Sequence, residues 1–112
     1  MNVLSGRAII YVCTSKEQIL AYIDVCRQQL ARVDIEVVRL MDEPTLRMWG
    51  DAIKTSTVFL EFAEMECEQF HDPSTFNWER VIVWLAYVRA LTEIATEALT
   101  EAGVIISLKV LP

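Results

Sequence analysis

The pattern of apolar and polar residues predicts a strand followed by a helix near the start of the chain. Residues 7–13 read Arg-Ala-Ile-Ile-Tyr-Val-Cys, a short β-branched and aromatic run that is typical of a buried strand. Thr14 stands three positions before Glu17, which is the capping-box pattern of a helix start. Apolar residues then recur every three or four positions and share one helix face. They are Ile19, Leu20, Ile23, Cys26 and Leu30.

The next segment has the composition of a second strand. Residues 35–41 read Ile-Glu-Val-Val-Arg-Leu-Met, and Pro44 ends the predicted strand because proline cannot donate to a strand ladder. Residues 45–54 are ambiguous. Thr45 could cap a short helix, which Gly50 would weaken without forbidding it. That helix would bury Leu46, Trp49 and Ile53.

Residues 57–67 read Thr-Val-Phe-Leu-Glu-Phe-Ala-Glu-Met-Glu-Cys and predict a third strand. Apolar and polar positions alternate up to Phe62, as on a strand with one buried face. The alternation changes phase after Ala63, and a one-residue slip indicates a bulge or a strand end at that point. The predicted strand is therefore either bulged or shorter than the apolar run.

A long helix over residues 77–102 and a closing strand over 104–110 complete the pattern. Asn77 is a good helix cap, and Gly103 suits the position just past a helix end. In the second half of this helix the threonines and glutamates are predicted to face solvent. The residues predicted to face inward are Leu91, Ile94, Ala95, Ala98 and Leu99.

The element order β-α-β-(short α)-β-α-β predicts an α/β (α+β) two-layer sandwich. Its 112 residues suit a single domain spanning 1–112, with one sheet covered by two long helices. A ferredoxin-like arrangement is one solution. The alternative is a mostly parallel three-stranded sheet with residues 35–41 at an edge or in a connection.

Negative charge is concentrated in the middle of the chain. The net charge is −6, and residues 42–79 alone hold nine acidic and two basic residues. This excludes nucleic-acid binding through a basic surface and favours a basic protein partner, steered by a one-signed field. The alternative is that the acids only keep the surface soluble. The candidate partner-binding residues are Asp42, Glu43, Trp49, Asp51, Glu61, Glu64, Glu66 and Glu68.

The first turns of the long helix are apolar on every side. Residues 81–88 read Val-Ile-Val-Trp-Leu-Ala-Tyr-Val, and such a helix must be covered all round. Either residues 42–55 cover it, or a second copy of the chain does. In the second case a homodimer would form with Ile82, Trp84 or Tyr87 at its seam.

Catalytic and metal-binding patterns are missing from the sequence. His71 is the one imidazole, the three glycines are isolated, and three widely spaced cysteines form no C-x-x-C pair. We therefore expect no enzyme activity, cofactor or metal.

The ends and apolar segments of the chain bear on its location. The N-terminus shows no basic region followed by an apolar one, as a signal peptide would, and no apolar run is long enough to span a bilayer. We therefore expect a cytoplasmic protein without membrane contact.

The second half of the chain resembles the barstar family of small acidic ribonuclease inhibitors. The resemblance lies in a Trp-containing segment at 46–51, an apolar segment with an internal Glu61, the long helix, and Glu-Ala-Gly before 104–108. It implies a barstar-like sandwich that plugs a basic nuclease cleft with carboxylates. Three features depart from the family pattern. Gly50 stands between Trp49 and Asp51, whereas the family places the Trp and the Asp next to each other. The family's Tyr-Gly-x-Asn-Leu motif is absent, and the predicted strand 35–41 is additional. The residues carried over are Asp42, Glu43, Asp51 and Glu61.

These observations favour a non-enzymatic acidic protein-binding module. Its expected role is that of an inhibitor, immunity protein or antitoxin, which docks on a basic protein and occludes its working site. The alternative is a homodimeric α/β domain that binds a small ligand at the seam of helix and sheet or serves in regulation.

Overall fold

The computed structural model describes residues 15–69, 72 and 76–105, and these residues form three helices and no strand. Helix α1 spans Lys16–Leu40, α2 spans Glu43–Glu68 and α3 spans Trp78–Glu101. With 24 to 26 residues each, the helices are about 36–39 Å long. All three pairs of helices pack against each other, so the fold is a helical bundle and the predicted α/β sandwich is wrong.

Each helix runs antiparallel to the next one along the chain. Two residues separate α1 from α2, which forces the chain to reverse. Arg27 contacts Glu64 and Asp34 contacts Trp49, so later positions of α1 meet earlier positions of α2. The contacts of Phe59 with Tyr87 and of Phe62 with Trp84 show the same reversal between α2 and α3.

The segment predicted as the second strand forms the last two turns of α1. Val33 and Val37 are buried, which continues the apolar face from Ile19 to Leu30 at helical spacing, while Ile35 and Val38 are exposed. β-Branched residues favour strands only weakly, and packing of the helix face overrides that preference here.

The segment predicted as a bulged strand at 57–67 is the second half of α2. Leu60, Ala63 and Cys67 are buried at intervals of three and four, so the apparent phase slip at Ala63 is the helical period. The ambiguous residues 45–54 form the first half of the same helix. Asp42 caps it, and Pro44 stands in the first turn, where a missing N–H costs little. Pro44 therefore helps to start a helix and does not end a strand.

The boundaries of α3 confirm the predicted long helix. The Asn77 side chain accepts a hydrogen bond from the Arg80 N–H at 3.3 Å. At the other end Gly103 has a φ of 91°, and the Val104 N–H donates to the Leu99 carbonyl at 2.8 Å. The Gly103 N–H bonds to the Thr100 carbonyl, which completes the Schellman motif.

The predicted inward face of α3 is partly wrong. Ile94 is exposed, while Thr92 and Thr96 are buried. Each buried hydroxyl donates to the backbone carbonyl four residues earlier, Thr92 to Val88 and Thr96 to Thr92, both at 2.7 Å. Threonine can enter the core here because its polar atom finds an acceptor on its own helix.

The core lies along the common axis of the bundle. The largest fully buried side chains in it are Tyr22, Ile19, Ile23, Leu60, Leu85, Leu99, Val33, Val81, Val88, Thr92 and Cys26.

Two outer strands are predicted from the sequence. Residues 7–13, the first of them, lie outside the described residues. So do residues 106–110 of the closing strand, while Val104 and Ile105 form no strand. No helix within 15–69 or 76–105 is long and apolar enough to cross a membrane.

Candidate functional site

Helix α2 carries a second, outward-facing stripe of large apolar side chains. Met48 is 75% exposed, Met65 57% and Phe62 42%, and Val58 is also exposed. The stripe positions alternate in steps of three and four, the spacing of a coiled-coil seam. We call the positions at this spacing the outer stripe; they hold the apolar Met48, Val58, Phe62 and Met65 and the polar Asp51, Thr55 and the C-cap Gln69.

One side of the outer stripe is bordered by four charged residues spaced seven apart, which we call the charged edge. In chain order they are Arg47, Lys54, Glu61 and Glu68, so the edge is basic in the first half of α2 and acidic in the second. Arg47 pairs with Glu43 at 2.9 Å. The other three form no ion pair within the described part of the chain, so they are available to a partner.

The two central glutamates of the predicted acidic surface instead connect the helices. Glu64 forms an ion pair with Arg27 of α1, while Glu66 pairs with Arg80 of α3 at 3.1 Å. The two carboxylates lie on opposite sides of α2, and each faces a base. The predicted acidic residues therefore do not form one continuous docking surface.

The predicted site residues at the start of α2 have local structural roles. Asp42 accepts a hydrogen bond from the Thr45 N–H at 3.0 Å, and bonds from the Thr45 side chain and N–H lower the pKa of Asp42. Trp49 is buried, and its indole N–H donates to the Asp34 carboxylate at 2.6 Å. Asp51 remains exposed on the outer stripe.

The apolar start of α3 is covered by aromatic residues of α2. Phe59 meets Tyr87 edge-on at a centroid distance of 5.1 Å, and Phe62 lies 5.5 Å from Trp84. The cover thus comes from the second half of α2, and the expectation that residues 42–55 provide it is wrong. Ile82 and Trp84, two of the predicted dimer-seam residues, pack against the core.

Part of this α3 segment stays uncovered. Val83 is exposed on α3, and Tyr87, the third predicted seam residue, is partly exposed beside it. Ile94 is exposed two turns of helix beyond Tyr87. The uncovered residues of α3 border the outer stripe and widen the exposed apolar surface.

An open apolar groove of about 320 Å³ lies at the end of the bundle where α1 ends and α2 begins. Its walls are almost entirely apolar, so it suits an apolar side chain better than a polar metabolite. Met48 connects the groove to the outer stripe. The lining residues are Val37, Met41, Thr45, Met48, Trp49, Ala52, Leu91, Ile94, Ala95 and Ala98.

The bundle also encloses a polar cluster around Arg89, the residue that follows the apolar run 81–88. Arg89 is 3% exposed; its guanidinium donates to the Gln29 side chain and lies 3.9 Å from Glu93. Burial raises the pKa of the nearby Cys26 thiol to about 11, against opposing effects of a Tyr22 hydrogen bond and the Arg89 charge. The raised pKa makes the Cys26 thiol a poorer nucleophile at neutral pH than an exposed cysteine.

Comparison with known proteins found no matching family model, curated protein or solved structure. The resemblance to the barstar family therefore stays a prediction, while the sandwich fold that it implied is wrong for the described residues.

Within the described residues, no group of three or more histidine, cysteine or acidic side chains could hold a metal ion. His71 lies outside them.

The outer stripe has a signal in the sequence that the strand prediction hid. Steps of three and four from Met48 to Gln69, and the seven-residue repeat from Arg47 to Glu68, are both present in the sequence. They become visible only when residues 43–68 are treated as one helix. The ion pairs that neutralise Glu64 and Glu66 had no such signal, because their partners are 37 and 14 residues away.

Proposed function

We propose that the protein is a non-enzymatic protein-binding module that holds an amphipathic helix against its outer stripe. One observation carries the proposal: large apolar side chains at seam spacing are exposed beside two glutamates, Glu61 and Glu68, that have no ion-pair partner in the described residues. The occupant that fits is a helix with an apolar face and basic residues at the edge positions that meet Glu61 and Glu68.

Burial of the stripe supplies the affinity in this proposal. Covering a side chain such as Phe62 or Met65 completely is worth roughly 1.5–3 kcal/mol, and recognition of a helix by a hydrophobic surface is a recurrent binding mode. Both residues are part-exposed, so only part of that energy is gained. Glu61 and Glu68 would add orientation and a faster association rate at low salt more than affinity.

Docking would act by covering the surface of the partner, which is how an inhibitor or immunity protein works. This proposal keeps the basic contact expected from the sequence but confines it to the partner residues that meet α2. Glu64 and Glu66 are occupied by Arg27 and Arg80, so the partner would meet Glu61 and Glu68 instead.

A designed peptide tests this function without knowledge of the natural partner. The probe is a fluorescein-labelled 27-residue amphipathic helix with leucine at its seam positions and lysine only at the edge positions that would face Glu61 and Glu68. The matched peptide carries glutamate at the same positions. We expect the lysine peptide to bind the chain at least about tenfold more tightly at low salt, measured by fluorescence anisotropy.

Two variants complete the peptide test. Phe62→Ser with Met65→Ser should abolish binding of the lysine peptide, whereas Ile35→Ser with Val38→Ser, two exposed apolar residues on α1, should leave it intact. Circular dichroism would check that both variants are folded. Equal binding of the two peptides, or binding that survives loss of Phe62 and Met65, would contradict the proposed function.

A further inference from the structure

We propose that the amphipathic helix bound by the outer stripe is α2 of a second copy of this chain, paired antiparallel about a two-fold axis. The inference rests on the proposed function and names its occupant. It is carried by the order of charges along the charged edge, which complements itself when reversed.

The charge match is complete in one register. If the two-fold axis passes between Thr57 and Val58, Arg47 lies level with Glu68 of the second copy and Lys54 lies level with its Glu61. In antiparallel helix pairs the same edge of each helix meets, so both attractions form twice in the dimer. Lys54, Glu61 and Glu68 have no competing ion pair in the described part of the chain, and Arg47 shares its charge with Glu43.

A parallel pair would lose this match. There the charged edge faces the opposite edge of the second helix, which carries Ala52, Phe59 and Glu66. Lys54 would then meet Phe59, and Glu61 would meet Glu66. The charge order therefore selects the antiparallel pair.

The apolar residues of the stripe fit the same register. Val58 of each copy lies next to the two-fold axis. Met48 and Met65 of the second copy differ in height along the helix by only about 3 Å. Asp51 is the acidic member of the stripe. It stands three and four residues from Lys54 and Arg47 of its own helix.

Helix α3 gives an independent check on the position of the axis. The ring contacts Phe59–Tyr87 and Phe62–Trp84 fix the level of α3 relative to α2. An axis between Thr57 and Val58 therefore passes α3 between Val88 and Arg89. That position brings Val83 level with Ile94 of the second copy, and both side chains are exposed in the single chain.

The resulting interface is a four-helix arrangement of α2 and α3 from each copy. It would cover Met65, Val83 and Ile94, each more than half exposed in the single chain, together with the part-exposed Phe62. A self-complementary patch of this kind is what a two-fold interface requires.

Sedimentation equilibrium of full-length charge-swapped chains tests the pairing. One variant carries Glu61→Lys and Glu68→Lys, which makes the charged edge wholly basic; the other carries Arg47→Glu and Lys54→Glu, which makes it wholly acidic. We expect the native chain to be a dimer at 50 µM and each variant to be a monomer, with a dissociation constant raised at least tenfold. An equimolar mixture of the two variants should form a heterodimer.

A matched control separates pairing from net charge. Glu17→Lys with Asp24→Lys on α1 changes the net charge by the same amount as the basic variant, and this chain should remain a dimer. Helical circular dichroism would show that all variants are folded. A native dimer that survives both swaps, or a mixture that stays monomeric, would overturn the proposed register.

The peptide experiment distinguishes failure of this inference from failure of the proposed function. A native chain that is monomeric at 50 µM but binds the lysine peptide would overturn self-pairing and leave the proposed function standing. A monomeric chain that binds neither itself nor the peptide would overturn both.

Discussion

The inner and outer faces of α2 both carry large apolar side chains, but the two faces differ in residue type and in what covers them. The inner face carries Trp49, Ser56, Leu60, Ala63 and Cys67, all buried against α1 and α3. On the outer stripe Met48, Val58, Phe62 and Met65 remain 41% to 75% exposed, although Phe62 also packs against Trp84 of α3.

This difference separates folding from recognition along a single helix. Small residues such as Ser56 and Ala63 allow the helices to approach closely, and their fit is specific to this bundle. Methionine side chains are flexible and adapt to whatever they meet, which suits a surface that receives a partner. Changes on the inner face should therefore cost stability, and changes on the outer stripe should cost association.

The largest effect is expected for Leu60→Ala on the inner face. Leu60 is almost fully buried, so the variant loses its transfer energy and leaves a cavity. We expect the free energy of unfolding to fall by about 2–5 kcal/mol, measured by urea denaturation. A loss below 1 kcal/mol would mean that the inner face is not the core of the bundle.

A somewhat smaller loss is expected for Gln29→Leu, which removes the acceptor of the buried Arg89 guanidinium. The charge then stays buried with weaker compensation, and we expect a loss of about 2–3 kcal/mol in the free energy of unfolding. Gln28→Leu is the matched control, because that neighbour bonds to Asp24 on the exposed surface. Equal effects of the two substitutions would show that Arg89 does not depend on Gln29.

The start of α2 should give a smaller, pH-dependent effect. The pKa of Asp42 is lowered by its bonds from Thr45, so the stabilisation by this cap is present above the ordinary carboxyl pKa. It is lost as the pH falls through the lowered value. Asp42→Asn keeps a capping oxygen but does not titrate, so its thermal midpoint should fall less between pH 6 and pH 3 than that of the native chain. The same fall in both proteins would contradict the role of the Asp42 charge.

The smallest effect on stability is expected for Met65→Ser on the outer stripe. Measured below the dissociation constant of the dimer, its free energy of unfolding should stay within about 0.5 kcal/mol of the native value. Self-association and binding of the lysine peptide should nevertheless weaken. A large loss of stability in the monomer would show that Met65 belongs to the core and not to a binding surface.

Features set by neighbouring residues were predictable from the sequence. The start of α3 at Asn77, its end at Gly103 and the apolar face from Ile19 to Leu30 follow from capping chemistry and helical spacing. The segments 35–41 and 57–67 were not predictable in this way. A short run rich in valine, isoleucine and phenylalanine satisfies strand and helix patterns equally, and only packing against the other helices decides between them.

The candidate site was predictable only in part for a similar reason. The charge count directed attention to Glu61 and Glu68, which remain exposed in the structure. It also included Glu64 and Glu66, whose neutralising arginines lie on other helices. Distance in space between charges is not contained in a composition count, so the sequence overestimated the acidic surface.

The buried Cys26 thiol makes the stability of this bundle observable without denaturant. Because its pKa is raised to about 11 and the side chain is enclosed, an alkylating reagent can modify it only when the helices separate. If the free energy of opening is about 5 kcal/mol, labelling should be slowed by roughly four orders of magnitude relative to the unfolded chain. Peptide mass spectrometry of Cys26 over time would then report how often the native bundle opens.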